Sequence, residues 1–207
     1  MILLIMGPPA SGKGTQAEKI AKEFGIKHIS TGEIFRKIKN NKISKYLVSG
    51  KLLPNEFVFK IVKENIDNED NYILDGFPRT LTQAKMLDEF LKENGKKVDY
   101  VIYLKVSDEG VIKRITSRRV CSKCGKNYNL ITNPLPKNNI CKCGGEIIQR
   151  EDDKEDIAKN RLEIFKKITQ SILDYYKDKL IVVNGEHPIN DVFRTIVRFL
   201  RKNKYKN

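Results

Sequence analysis

Ile2-Leu3-Leu4-Ile5-Met6-Gly7-Pro8-Pro9-Ala10-Ser11-Gly12-Lys13-Gly14-Thr15 joins an apolar run to a glycine-rich loop and then to a helical pattern. An unbroken run of this length reads as a strand buried on both faces, the habit of a central strand in a parallel sheet. Behind the loop, Ala17, Ile20, Ala21 and Phe24 share one helical face, and Gly25 stands where a left-handed cap ends a helix. Glycines between strand and helix let backbone N–H groups turn inward on phosphate oxygens. The helix N-terminus adds partial positive charge, and Lys13 reaches the outer phosphates. The loop therefore implies a bound polyphosphate cradled by Ala10, Ser11, Gly12, Lys13, Gly14 and Thr15.

Most such loops place a Ser or Thr directly after the lysine to hold magnesium, but here Gly14 intervenes and Thr15 follows. Magnesium needs another anchor. Asp75 ends a second apolar run, Tyr72 to Asp75, at the kind of strand terminus where ligands of open α/β sheets collect. Further short β-rich runs lie at His28 to Ser30, Tyr100 to Val106 and Leu180 to Val183, alternating with amphipathic helical stretches. That alternation predicts an α/β fold with five parallel strands flanked by helices.

The chain has 207 residues, 40% of them hydrophobic, enough for one main domain with a small insertion. Met1 to Met6 is too short an apolar run to cross a bilayer and lacks the leader and cleavage pattern of a signal peptide, so a cytoplasmic location is expected. A net charge of +14 raises the question of nucleic acid. Lysine, scattered among Glu, Asn and Ile, carries most of that charge. The basic end, Arg194, Arg198, Arg201, Lys202, Lys204 and Lys206, falls mostly at helical spacing beside Phe193, Ile196, Val197 and Leu200, which reads as a solvated helix face. No nucleic-acid partner is expected.

Cys121-x-x-Cys124 is followed after sixteen residues by Cys141-x-Cys143, inside a Gly-, Asn- and Pro-rich stretch, Cys121 to Gly145, that fits neither helical nor strand period. Thiolate pairs on tight turns suit a tetrahedral structural zinc, with an iron site as the alternative; disulfides are disfavoured in a reducing compartment. Arg114 and Arg118 sit four apart, as on one helix face, before this insertion. Arg150 and Arg161 follow it, around the acidic run Glu151-Asp152-Asp153.

Asp75-Gly76-Phe77-Pro78-Arg79 supplies a close-approach glycine, a stiffened turn and a planar guanidinium suited to phosphate. Together with Gly7 to Thr15, Ser30-Thr31-Gly32, Gly50-Lys51-Leu52-Leu53-Pro54 and Arg79-Thr80 followed by Gln83, it makes the chain closely resemble the adenylate kinases of the long-lid, zinc-binding prokaryotic type. The resemblance implies a P-loop NTPase-type sheet, reversible phosphoryl transfer from magnesium ATP to AMP giving two ADP, and a role in adenine nucleotide homeostasis. It implies a core at 1–29, 54–116 and 154–207, an AMP-binding helical subdomain at 30–53 and a zinc lid at 117–153. AMP would meet Thr31, Arg36, Lys51, Leu52, Leu53, Gly76, Phe77, Pro78, Arg79 and Gln83, with Arg150 and Arg161 shared with the transferring phosphates. A glutamine amide offers both a donor and an acceptor to adenine.

By the same resemblance ATP would meet the phosphate loop, Arg118, Asn127, Tyr128 and, through backbone, the turn Asn184-Gly185-Glu186-His187. Lys13, Asp75, Arg79, Arg114, Arg118, Arg150 and Arg161 would serve catalysis, Cys121, Cys124, Cys141 and Cys143 would hold zinc, and the chain would act as a monomer. Three features depart from the family's pattern. The stretch from Arg36 to Gly50 is short, Glu33 replaces the usual Asp, and Lys142 alone separates the second cysteine pair. The rival readings are a kinase for UMP, CMP or GMP, a basic zinc-ribbon protein that binds nucleic acid, and a phosphate loop used only for regulatory binding.

Overall fold

A computed structural model describes residues 1–38, 43, 46, 49, 51–132, 135, 136 and 138–203. Its main sheet has the strands β1 (Ile2–Met6), β2 (Lys27–Ser30), β3 (Tyr72–Asp75), β4 (Tyr100–Lys105) and β8 (Leu180–Asn184), all parallel, in the order β2-β3-β1-β4-β8. The expected five-stranded parallel sheet is present, and β3 lies beside β1 with Ile5 opposite Asp75. That register sets Asp75 next to the phosphate loop.

Both faces of β1 are covered. Leu3 and Ile5 pack with Ala17 and Ile20 of α1 (Lys13–Phe24) and with Val192, Ile196 and Leu200 of α7 (Ile189–Asn203). Ile2, Leu4 and Met6 pack on the opposite face, with Val62 and Ile66 of α3 (Asn55–Ile66), Leu87 and Leu91 of α4 (Leu81–Glu93) and Ile172 of α6 (Glu155–Tyr175). Each fully buried Leu or Ile contributes about 1.5–3 kcal/mol, so the base of the cleft rests on a well-packed core. Gly25 closes α1 in the left-handed conformation, as expected. α2 (Thr31–Lys37) follows β2 directly.

The cysteine-rich insertion is not without order. β5 (Arg118–Cys121), β6 (Asn127–Asn129) and β7 (Ile147–Ile148) form a separate antiparallel sheet in the order β6-β5-β7. This corrects the placing of Arg114 and Arg118 on one helix. α5 (Asp108–Thr116) ends at Thr116, whose hydroxyl donates back to Ile112 O, and Arg118 starts a strand opposite Asn129. Cross-strand pairing outweighs the helical spacing there.

Gly50 and most of 39–48 lie outside the described residues, so the expected AMP-side subdomain at 30–53 is described only in part.

Candidate functional site

The carboxyl ends of the central strands open into a cleft of about 740 Å³. The phosphate loop forms its floor. Gly7 has φ +150°, and a Cβ there would stand 2.7 Å from Ser11 Oγ and 2.8 Å from Leu104 O, so a side chain is excluded. Lys13 Nζ donates to Gly7 O and Pro8 O at 2.8 Å each, which folds the ammonium over its own loop. Burial, reinforced by the charges of Arg79, Arg118 and Arg161 and partly offset by Asp75, brings the Lys13 pKa down to about 7. An ammonium so disfavoured is ready for an anion. Ser11 Oγ and Gln16 Oε1 are buried with no hydrogen-bond partner among the described residues.

Asp75 is buried beside this loop. Burial pushes its carboxyl pKa up, but His28, Lys13 and Arg79 outweigh that and hold it below the usual value, so it is a carboxylate at neutral pH. His28 Nε2 lies 3.6 Å from Asp75 Oδ2, close but beyond hydrogen-bond length. A Cβ on Gly14 would come within 3.3 Å of that same oxygen, so a side chain there would require the carboxylate to give by a few tenths of an ångström.

Six arginines reach the cleft: Arg36, Arg79, Arg114, Arg118, Arg150 and Arg161. Arg118 makes two parallel hydrogen bonds to Asp153, Nε to Oδ2 at 2.7 Å and a second from its terminal nitrogen to Oδ1. Burial opposes the Arg118 charge, yet the Asp153 carboxylate, fully enclosed, raises its pKa overall. Arg161 donates to Asp152 Oδ2 at 2.9 Å and to Asp152 O at 2.8 Å. The acidic pair thus orients arginines and does not cap α6, whose N-cap Lys154 has no side-chain bond. Arg150 donates to Asn127 Oδ1 at 2.7 Å, while its buried Nε has no partner among the described residues. Burial, followed by the charges of Arg118 and Arg36, pulls the Arg150 pKa down. Of the six, Arg118 and Arg161 are paired with carboxylates among the described residues.

Arg114 is already committed, donating to Gly185 O at 2.8 Å and fixing the turn that carries His187 at the cleft's edge. Tyr128 borders the cleft, but its side chain is buried in the cysteine module, where its hydroxyl donates to Cys141 Sγ. Phe77 turns its ring into the core beside Phe59. Thr31 is buried, with its hydroxyl donating to Asp75 O at 3.2 Å. Gln83, also buried, accepts from Arg79 N at 2.7 Å and donates to Asn55 Oδ1 at 3.1 Å, which leaves one amide hydrogen and one lone pair. Leu52 and Pro78 line a smaller cavity of about 100 Å³ behind Arg79 and Arg161. Leu53 packs on the core, and Lys51 is exposed.

His28 and Asn55 were not singled out from sequence. His28 touches Asp75 across two strands, and Asn55 meets Gln83 and Thr80 from another helix; neither has a local motif.

The four cysteine sulfurs lie within 4.8 Å of one another, with Cys121–Cys143 at 3.4 Å and Cys124–Cys141 at 3.6 Å. Tetrahedral zinc with Zn–S bonds of about 2.3 Å needs sulfurs roughly 3.8 Å apart. The set fits, including the short Cys141-Lys142-Cys143 pair. No helix among the described residues is long and apolar enough to cross a membrane.

A family model for adenylate kinase matches residues 5–181. The chain is 44% identical to the adenylate kinase of Bacillus licheniformis over 97% of this chain and 98% of that one. It is 45% identical to the adenylate kinase of Archaeoglobus fulgidus over 99% and 100%. For the adenylate kinase of Caldanaerobacter subterraneus subsp. tengcongensis the identity is 46% over 97% and 96%.

Proposed function

The chain belongs to the adenylate kinase family, and from that premise we propose that it moves the γ-phosphoryl group of magnesium ATP reversibly to AMP, yielding two ADP. The observation that carries this reading is the convergence of Lys13, Arg79, Arg118, Arg150 and Arg161 on one cleft at the strand ends. Phosphoryl transfer asks little covalent work of a protein, so in-line placement of donor and acceptor and neutralisation of charge are what catalysis requires.

In this mechanism ATP phosphates take the place of the Gly7 and Pro8 carbonyls as partners of Lys13. Arg36 and Arg79 hold the AMP phosphate, an oxygen of which attacks the γ-phosphorus as the bond to the β-bridging oxygen breaks. Arg118, Arg150 and Arg161 neutralise the charge spread over the transferring group. Asp75 would hold magnesium directly or through water, and the metal would supply charge neutralisation on the β- and γ-oxygens. Gln83 offers its remaining donor and acceptor to adenine, and the turn at Asn184 to His187 meets the ATP base.

The lid at 117–153 closes over ATP, as lids of this family do, and excludes water that would hydrolyse the donor. Cys121, Cys124, Cys141 and Cys143 would hold zinc, which gives a small module with little core of its own its rigidity. The core at 1–29, 54–116 and 154–207 and the AMP-side segment at 30–53 complete the division of labour. A cytoplasmic monomer with no nucleic-acid partner fits this reading.

The test offers ATP with AMP, UMP, CMP or GMP, with and without magnesium, and follows ADP. Magnesium-dependent turnover with AMP is expected. Turnover only with another acceptor would remove the AMP assignment and leave the phosphate machinery standing.

A further inference from the structure

Tyr128 is the one aromatic residue of the cysteine module whose polar atom meets a sulfur. Its ring is buried among Cys121, Cys141 and Ile147, and its hydroxyl donates to Cys141 Sγ at 3.2 Å, a bond enclosed from water. Lys126 lies over the same ring, 5.7 Å from its centroid, and a cation on a phenol's face makes the O–H a stronger donor. The strand bearing Tyr128 also bears Asn127, whose side chain accepts from Arg150 in the cleft. Neighbouring side chains on β6 therefore point one to the sulfur cluster and one to the phosphate-facing arginine.

Four thiolates around a divalent cation leave two excess negative charges on sulfur, and donors to those sulfurs disperse that charge. Cys121 has such a donor in its own turn, the Cys124 N–H at 3.5 Å. Cys141 belongs to the shortened pair, where one residue separates the two sulfurs' positions, and it takes a side-chain donor from across the module.

We propose that Tyr128 is an outer-sphere partner of the module's metal, donating a hydrogen bond to the Cys141 thiolate that slows metal loss and fixes β6, and with it Asn127, against the cleft. The inference rests on the reading that the four cysteines hold a metal, and it adds a positioning role for a residue that the family resemblance assigns to nucleotide.

Tyr128→Phe keeps the ring and removes only the donor. Zinc-loaded wild type and variant are mixed with excess chromophoric chelator, and zinc release is followed by absorbance. Release from the variant is expected on the order of tenfold faster. In the cobalt-substituted proteins, the sulfur-to-cobalt charge-transfer band of the variant is expected at longer wavelength, because a thiolate without its hydrogen bond gives up charge more easily. Site-specific 3-fluorotyrosine at position 128, a stronger donor of nearly the same size, is expected to slow release, which separates hydrogen bonding from packing. Equal release rates across the three proteins with an unshifted cobalt band would overturn the proposal while leaving the metal reading intact. Wild type that retains no zinc on desalting would overturn both.

Discussion

Arg118 and Asp153 face each other where the chain enters and leaves the cysteine module, and two parallel hydrogen bonds join the guanidinium to the fully enclosed carboxylate. A bidentate pair of this kind has directional as well as electrostatic strength. It also aims the remaining face of Arg118 at the cleft, next to Lys13 and Arg161.

Asp153→Asn leaves Arg118 largely buried without its counter-charge. A loss of about 3 kcal/mol in unfolding free energy is expected, by comparison with other buried pairs cut on one side. Denaturant unfolding of the variant beside wild type measures it, and an unchanged midpoint would show that Arg118 finds another partner.

Lys13→Met should reduce kcat by on the order of a hundredfold to a thousandfold, the usual effect of removing one preorganised donor to a developing oxyanion. AMP affinity should change little, since Lys13 lies on the loop and the proposed AMP contacts lie elsewhere. Steady-state kinetics with each substrate varied separates the two effects.

The depressed Lys13 pKa, about 7, predicts proton-linked ATP binding. Polyphosphate stabilises the ammonium and raises its pKa in the complex, so binding takes up a proton wherever the free side chain is neutral. Affinity is full below pH 7 and falls as pH rises above it, approaching tenfold per unit until the pKa of the complex is reached. Calorimetry at pH 8 in two buffers of different ionisation heat should show proton uptake that Lys13→Arg abolishes.

Gln83→Ala removes one acceptor from Arg79 N and one donor to Asn55. Stripping a buried bonding group costs about 1–3 kcal/mol, so stability should fall by that order. The KM for AMP should rise on the order of tenfold while the KM for ATP holds. Equal changes in both would mean that Gln83 only supports the fold.

The central architecture was legible because β1 declares itself twice, by an unbroken apolar run and by the glycine loop after it. The cysteine module was legible as an inserted cluster of four sulfurs, but its strands were not. Its strands are two to four residues long, too short to show a period, and their pairing rests on contacts between distant residues and on the sulfur cluster. Arg118 was misplaced for that reason, since its spacing from Arg114 fits a helix that stops at Thr116. Within the site, the glycine loop and the Asp75 to Arg79 turn that line the cleft were readable as motifs. The prior engagement of Gln83 with Asn55, 28 residues away, and of Arg114 with Gly185, 71 residues away, was not, because those partners meet only in three dimensions.

The side-by-side ends of the cysteine module have a consequence for how the molecule assembles. To the nascent sheet, everything between Arg118 and Asp153 is one long connection, and lengthening such a connection costs little, about 0.6 kcal/mol per doubling. The sheet can therefore form around an unfinished flap, whose own order awaits the gathering of its four sulfurs. On the proposal that these sulfurs hold zinc, a cell short of zinc would accumulate molecules with a sound interior and an unfastened flap.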